Sequence, residues 1–290
     1  MQTLTDEKIE KLKKKANEIR KSIIRMLFEA GSGHTAGPLG MADIFSLLYF
    51  HTLKHDPKNP KWEERDRLIL SNGHICPVLY SAMAHAGYFS LNELQTLRKF
   101  ESRLQGHPHR EFLPYLETSS GPLGSGLSQA IGMAIADRMD NNNSDLSADK
   151  AEKIIYCLMS DGELDEGQTW EAIMLASKQK LENLIVIVDR NNIQISGFTE
   201  EVMPLNNLIN KWISFNWDVY EVDGHNFKQI NNAIEKAKGI KDKPSVIIAN
   251  TVPGSGVKIF ENNYYWHGNV PNKEQARKAL LELEENNLKL

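Results

Sequence analysis

The chain reads as an α/β protein with a mostly parallel sheet covered by helices on both faces, and three observations predict this. Short apolar runs of strand length recur at residues 67–71, 154–159, 184–188, 217–222 and 245–249. Stretches with helical periodicity lie between several of them, as crossover connections between parallel strands require. The length, 290 residues, and a composition 41% hydrophobic and 25% charged suit one large soluble domain spanning 1–290.

Taken in order, Ile9, Leu12, Ala16, Ile19, Ile23 and Leu27 fall at three- and four-residue spacing, predicting an amphipathic helix that ends near Gly31. The run Lys13-Lys14-Lys15 lies on its polar side and reads as a solvated face. Gly31-Ser32-Gly33-His34 breaks that helix, and a second is expected over 41–51. Residues 67–71 form a short strand opening into Asn72-Gly73-His74. Helices are expected over 77–86 and 91–100, followed by an irregular segment rich in His, Pro and Gly at 105–116. Gly121-Pro122-Leu123-Gly124-Ser125-Gly126 leads into a helix over 127–139. The polar stretch 140–150 reads as a surface loop. Strand 154–159, helix 169–180 and strand 184–188 then make a strand–helix–strand crossover. Strands at 217–222 and 245–249 flank a helix at 227–238, and a C-terminal helix covers 273–286. No internal repeat is present.

Composition narrows the function classes. A formal net charge of −4 offers no electrostatic reason to bind nucleic acid or an anionic membrane. No apolar run reaches bilayer-spanning length. Met1 to Glu7 lacks a basic segment followed by an apolar core, so no secretory signal is expected. Cys76 and Cys157 form neither a disulfide framework nor a metal-ligand spacing. The expected compartment is the cytoplasm.

Two polar clusters carry the strongest chemical signal. Ser160-Asp161-Gly162-Glu163 ends one strand, and Asn191-Asn192 ends the next, thirty positions after Asp161. A parallel crossover puts both ends on one edge of the sheet, where open α/β sheets bind ligands. A carboxylate and an amide oxygen facing one crevice suit Mg²⁺ completed by phosphate oxygens, although both residues could instead cap helices or shape turns. The glycine-rich segment 121–126 offers bare backbone N–H groups beside a helix start, a seat for phosphate or simply a tight turn. Four histidines, His34, His74, His107 and His267, each adjoin a glycine in an expected loop. Neutral imidazoles gathered at one crevice can move protons or hydrogen-bond a polyhydroxylated substrate; taken singly, each reads as an ordinary hydrogen-bonded histidine. His51, His55, His85 and His109 are left in that ordinary class, and no zinc spacing is present. Asp165-Glu166 lies near a helix start, where acidic charge is stabilising; the sharper reading is a buried Glu166 reaching across a subunit contact.

Together these segments resemble the thiamine-diphosphate enzymes, specifically the N-terminal, diphosphate-binding part of transketolase. The carriers are Ser160-Asp161-Gly162 with Asn191-Asn192, Ser-Gly-His34, Ser-Asn-Gly-His74, Gly-His107-Pro108, Gly121-Pro122-Leu123-Gly124 and His267-Gly268, in the family's order from about Ala16 to Pro271. The resemblance implies that Asp161, the Asn191 side chain and the Ile193 carbonyl hold Mg²⁺ or Ca²⁺. It implies that Gly162 and Gly121-Pro122-Leu123 contact thiamine diphosphate and that His74 reaches its diphosphate. His34, His107 and His267 would line the substrate channel, and Glu166 would link paired active sites. Ser160 stands where the family's motif has glycine, and the segment around His267 is looser than in full-length enzymes.

The resemblance also implies the reaction, transfer of a two-carbon ketol unit between sugar phosphates, with the pentose phosphate pathway as the default route. No second α/β unit follows Pro271, so the pyrimidine-binding half is expected on a separate C-terminal transketolase subunit, two of each forming a heterotetramer. Alternatives are the α-type subunit of a 2-oxo acid dehydrogenase, a split sugar-phosphate synthase, and a non-catalytic module retaining the fold.

Overall fold

In the computed structural model, which describes residues 4–143 and 153–289, α1 (Asp6–Ala30) opens the chain. The Thr5 hydroxyl accepts from the Lys8 N–H, Asp6 and Glu7 sit in the first turn, and Gly31 ends the helix at φ 62°. Its apolar stripe, Ile9 to Leu27, is buried as its periodicity predicts. The expected helix at 41–51 is present as α3 (Ala42–Leu47) and a π-helical turn, Leu48–Thr52, preceded by the unanticipated α2 (Ala36–Gly40). Strand β1 (Arg67–Leu70) leads to α4 (Cys76–Ala86), which carries Pro77 in its first turn and ends at Gly87.

The helix expected over 91–100 does not form; only a 3₁₀ segment, Leu91–Thr96, is present. Leu91, Leu94 and Leu97 repeat every third residue, which matches a three-residue turn as well as an α-helix. Arg98 then adopts φ 60° and its N–H bonds to the Leu104 carbonyl, so the chain turns away. Helix α5 (Ser125–Asn143) outruns its expected end: residues 140–143 of the expected loop are helical, and 144–150 lie outside the described residues.

Strand β2 (Ile155–Ser160), α6 (Gly167–Lys178) and β3 (Leu184–Arg190) build the expected crossover. A small antiparallel ribbon of β4 (Ile193–Gln194) and β5 (Gly197–Phe198) follows, then α7 (Thr199–Val202) and α8 (Leu208–Ser214). These four elements are too short for periodicity to reveal. Strand β6 (Asp218–Asp223), α9 (Phe227–Lys238), β7 (Ser245–Asn250) and α10 (Lys273–Lys289) complete the chain, α10 running past the expected residue 286.

Five strands form one parallel sheet in the order β1-β2-β3-β7-β6. Alternate side chains feed two cores. Tyr156, Leu158, Ile185, Ile187 and Ile247 pack with α1, α3, α4 and α9. Ile155, Cys157, Met159, Val186, Val188 and Ile248 pack with α5, α6 and α8 on the other face. Coverage of both faces explains why these strands are apolar at consecutive positions. Both cysteines are buried and unpaired. Among the described residues no helix is long and apolar enough to cross a membrane.

Candidate active site

Strands β1, β2 and β3 run parallel and in sequence, so their carboxyl ends open on one edge, with Leu70 level with Leu158 and Ser160 level with Asp189. Asp161 follows β2 and is 0% exposed. Its Oδ1 accepts from the Gly162 N–H at 2.8 Å, and its Oδ2 accepts from the Asn192 N–H at 2.7 Å and from Arg190 Nη1 at 3.0 Å. Asn191, just past β3, donates through Nδ2 to Asp189 at 2.8 Å and accepts the Ile193 N–H at 3.1 Å. Asn192 turns the chain at φ 62°, a conformation asparagine tolerates, and its carbonyl receives the Thr199 N–H. Asp161, Asn191 and Ile193 therefore share one hydrogen-bonded cluster.

The glycine-rich segment lies beside it. Gly124 adopts φ 82°, and Leu123 accepts a hydrogen bond from Gln168 Nε2 at 2.6 Å, which seats the loop on the start of α6. Gly126 rests against Ser71, whose backbone and side chain would lie within 2.6 Å of any Cβ there. Gly121 is open: an added Cβ would meet only His107, at 4.0 Å. The glycine at 124 thus serves turn geometry, and that at 126 serves close packing.

Three of the four singled-out histidines converge. The ring centroids of His34 and His74 are 4.9 Å apart, those of His74 and His267 5.3 Å, and those of His34 and His267 5.7 Å. Positions more than 230 residues apart meet because Thr35 ties the two loops, its hydroxyl donating to Asn269 O at 2.6 Å and its N–H to Trp266 O at 3.3 Å. His107 stands beside Gly121 on the same edge. Burial makes protonation costly, so the His34 and His267 imidazoles are both held down to about 4. His74 lies well below its ordinary range for the same reason, and His107 is also lowered, by burial and then by the nearby Arg98 charge. The cluster is therefore neutral at pH 7. His55 and His85 lie elsewhere, hydrogen-bonded to Tyr88 and Ser22 respectively.

Within the single chain Glu166 is exposed at the start of α6 and its side chain makes no capping bond; the expected burial across a subunit contact would need a second chain. Position alone makes it available to a second chain.

The structure adds residues that the motifs did not single out. Arg190 bridges Asp161 and Glu200, and Asp189 receives both Asn191 Nδ2 and the Thr251 hydroxyl. Burial raises the Asp161 carboxyl to about 6 even against the pull of Arg190, and raises Asp189 to about 7. Glu163, named only as the last member of the polar cluster after β2 and given no role of its own, is 0% exposed and raised by burial to about 7. Asp189 and Arg190 could have been suspected, since charges closing an apolar strand seldom sit there without partners.

The donor set fits a thiamine diphosphate held through a metal in part. Both polar atoms of the fully buried Asn72 side chain lack partners, as do His34 Nδ1 and Ser120 Oγ, and all three residues belong to the loops bordering this edge. Buried polar groups are ordinarily satisfied, so unpaired ones at a cleft suit a polar ligand. Among the described residues no group of three or more His, Cys, Asp or Glu side chains is placed to hold a metal. One carboxylate, one amide and one carbonyl would leave the remaining positions to phosphate oxygens, as Mg²⁺ accepts. A cation at Asp161 would also compete with Arg190 for Oδ2.

Comparison with known proteins gives the same reading. The family model described as "Transketolase, thiamine diphosphate binding domain" matches residues 11–283. A 6-deoxy-6-sulfo-D-fructose transketolase subunit of Clostridium sp. (strain MSTE9) is 40% identical over 273 residues, covering 94% of this chain and 96% of that protein. One of the apulose-4-phosphate transketolase subunits of Phocaeicola vulgatus is 38% identical, covering 96% of this chain and 95% of that protein. Transketolase from Leishmania mexicana superposes with a TM-score of 0.90 at 32% identity, over 95% of this chain but 41% of that one. The chain thus spans about two fifths of that solved transketolase and nearly all of the two smaller relatives. With the family model matching residues 11–283 and relatives 38–40% identical over nearly the whole chain, the chain belongs to the transketolase thiamine-diphosphate-binding family.

Proposed function

We propose that this chain is the N-terminal, cofactor-holding subunit of a split transketolase that moves a two-carbon ketol unit between sugar phosphates. The observation that carries the reading is the neutral histidine cluster set beside the paired ends of β2 and β3. When bound, thiamine diphosphate supplies the nucleophilic carbon and the electron sink for breaking and remaking a carbon–carbon bond. In this proposal Asp161, Asn191 and the Ile193 carbonyl hold Mg²⁺ (or Ca²⁺), Gly162 and Gly121-Pro122-Leu123 take the diphosphate, and His74 donates to it.

A neutral imidazole donates at one ring nitrogen and accepts at the other, so His34 and His267 can bind sugar hydroxyls and carry a proton between hydroxyl and carbonyl oxygen. His34 Nδ1, buried without a partner, is free for that purpose. His107, less buried, would meet substrate nearer the mouth. Exposed Glu166 would contact a second copy of the assembly. The pyrimidine-binding half would come from a separate C-terminal subunit, in a heterotetramer of two each. The names of the Clostridium and Phocaeicola relatives, and their near-complete coverage, support this. A cytoplasmic setting, with pentose phosphate metabolism as default route, is part of the same proposal; two buried unpaired thiols support a reducing compartment.

The test is reconstitution. The purified chain should lack ketol transfer from ketose phosphates and gain it when a pyrimidine-binding subunit is added, with no turnover of 2-oxo acids. Full activity of the chain alone, or turnover of 2-oxo acids by the complex, would overturn the proposal.

A further inference from the structure

Glu163 lies two residues beyond Asp161, completely buried, and among the described residues no lysine, arginine or histidine pairs with it. Its two oxygens accept from three separate segments. The Ser71 hydroxyl, in the loop after β1, donates to Oε1. The Gly124 N–H donates to that same oxygen at 2.6 Å, and the Ser160 N–H donates to Oε2 at 3.2 Å. Ser71 Oγ in turn accepts the Gly126 N–H at 3.1 Å. The loop bearing His74, the Gly-Pro-Leu-Gly loop and the turn bearing Asp161 thus all meet at one carboxylate.

Only a carboxylate of this length satisfies that arrangement. Three donors need acceptor lone pairs on both oxygens; an amide would turn its NH₂ toward one of them, and aspartate is one methylene short. The glycines at 124 and 126 let the loop come close enough, the first through φ 82°, the second because a Cβ would overlap Ser71. A buried carboxylate without a cation is a poor way to stabilise a fold, because desolvation opposes the charge. Its presence at the junction of three ligand-facing loops calls for a different reason.

We infer that Glu163 is a positioning residue for the cofactor's diphosphate: it sets the spacing between His74, Gly121-Pro122-Leu123 and Asp161 without touching the ligand. This rests on the proposed function, and it adds a residue to which the motifs assign no role.

The experiment is thiamine diphosphate titration by calorimetry at fixed Mg²⁺, using the full chain with its pyrimidine-binding partner, for the parent protein, Glu163→Gln, Ser71→Ala and the double variant. Melting temperatures without cofactor are measured alongside. Each single variant should raise the cofactor Kd roughly tenfold, about the worth of one charge-assisted hydrogen bond. The double variant should be no worse than Glu163→Gln, since the two residues act as a unit. The cofactor-free melting temperature should hold or rise in Glu163→Gln, which removes the buried charge, and should fall in Ser71→Ala, which leaves the Gly126 N–H without its acceptor. A Kd within about twofold of the parent's in Glu163→Gln would overturn the inference; so would affinity lost only in step with cofactor-free stability. A parent complex that binds no thiamine diphosphate would instead overturn the proposed function.

Discussion

Replacing Asp161 with alanine removes a fully buried carboxylate that accepts from Gly162, Asn192 and Arg190. Two partly buried N–H groups then lose their acceptor, at no more than about 1–3 kcal/mol each. Arg190 keeps its 2.6 Å contact with Glu200, so its charge is not stranded. An opposing effect is built into the site. Burial lifts the Asp161 carboxyl from 3.8 to about 6, so at pH 7 the folded protein carries an ion disfavoured by about 3 kcal/mol, and alanine relieves it. The two effects nearly cancel, and the fold should survive with a loss of at most about 3 kcal/mol. Ligand stabilisation should not survive. A ligand at 100 times its Kd stabilises by about 2.7 kcal/mol, which corresponds to a rise of roughly 5–10 °C for a domain near this size. Fluorescence-monitored melts with and without thiamine diphosphate and Mg²⁺ should show that rise in the parent and almost none in Asp161→Ala. An equal rise in both would refute the assignment of Asp161 to the cofactor's cation.

Two further expectations concern acid and packing. The imidazole resonances of His34 and His267 should titrate in NMR with midpoints near 4, and midpoints between 6 and 7 would refute a desolvated cluster. A histidine with a lowered folded value contributes stability that is complete above about 6.5 and is lost as pH falls toward 4. Glu163 and Asp189, raised to about 7, act oppositely and gain stability as pH falls through that value, so the global melting temperature should move little between pH 7 and 5. Gly126→Ala would press its methyl to 2.5 Å from the Ser71 side chain and should cost about 1–3 kcal/mol in urea unfolding while weakening cofactor binding. Gly132→Ala, in the same helix with nothing within 4 Å, should instead stabilise by about 0.5–1 kcal/mol, and equal effects at the two positions would refute the packing argument.

Long, strongly patterned segments were legible in the sequence. The stripe from Ile9 to Leu27 announces α1, and the apolar runs at 154–159 and 184–188 announce the two central strands. Side-chain periodicity is a local property, so no knowledge of the partner surface is needed to see it. The segment around Leu91, Leu94 and Leu97 misleads for the same reason: three-residue spacing suits both an α-helix and a 3₁₀ turn, and only the Arg98–Leu104 contact decides. Elements of two to seven residues, such as β4, β5, α7 and α8, are too short to impose any period.

The site divides in the same way. Sequence alone determined the residue types and the crossover: Asp161 and Asn191 end consecutive parallel strands, and four histidines each adjoin a glycine; the fold sets three of them in loops and His74 in a 3₁₀ turn, Gly73–Ile75. Tertiary structure alone decided that His34, His74 and His267 meet, that burial keeps them neutral, and that Glu166 lies on the surface of this chain. It alone placed Arg190 against Asp161 and gathered three loops on Glu163. The physical reason is that desolvation and hydrogen-bond partnership are properties of neighbours distant in the chain, which covalent order does not specify until the sheet brings its strand ends together.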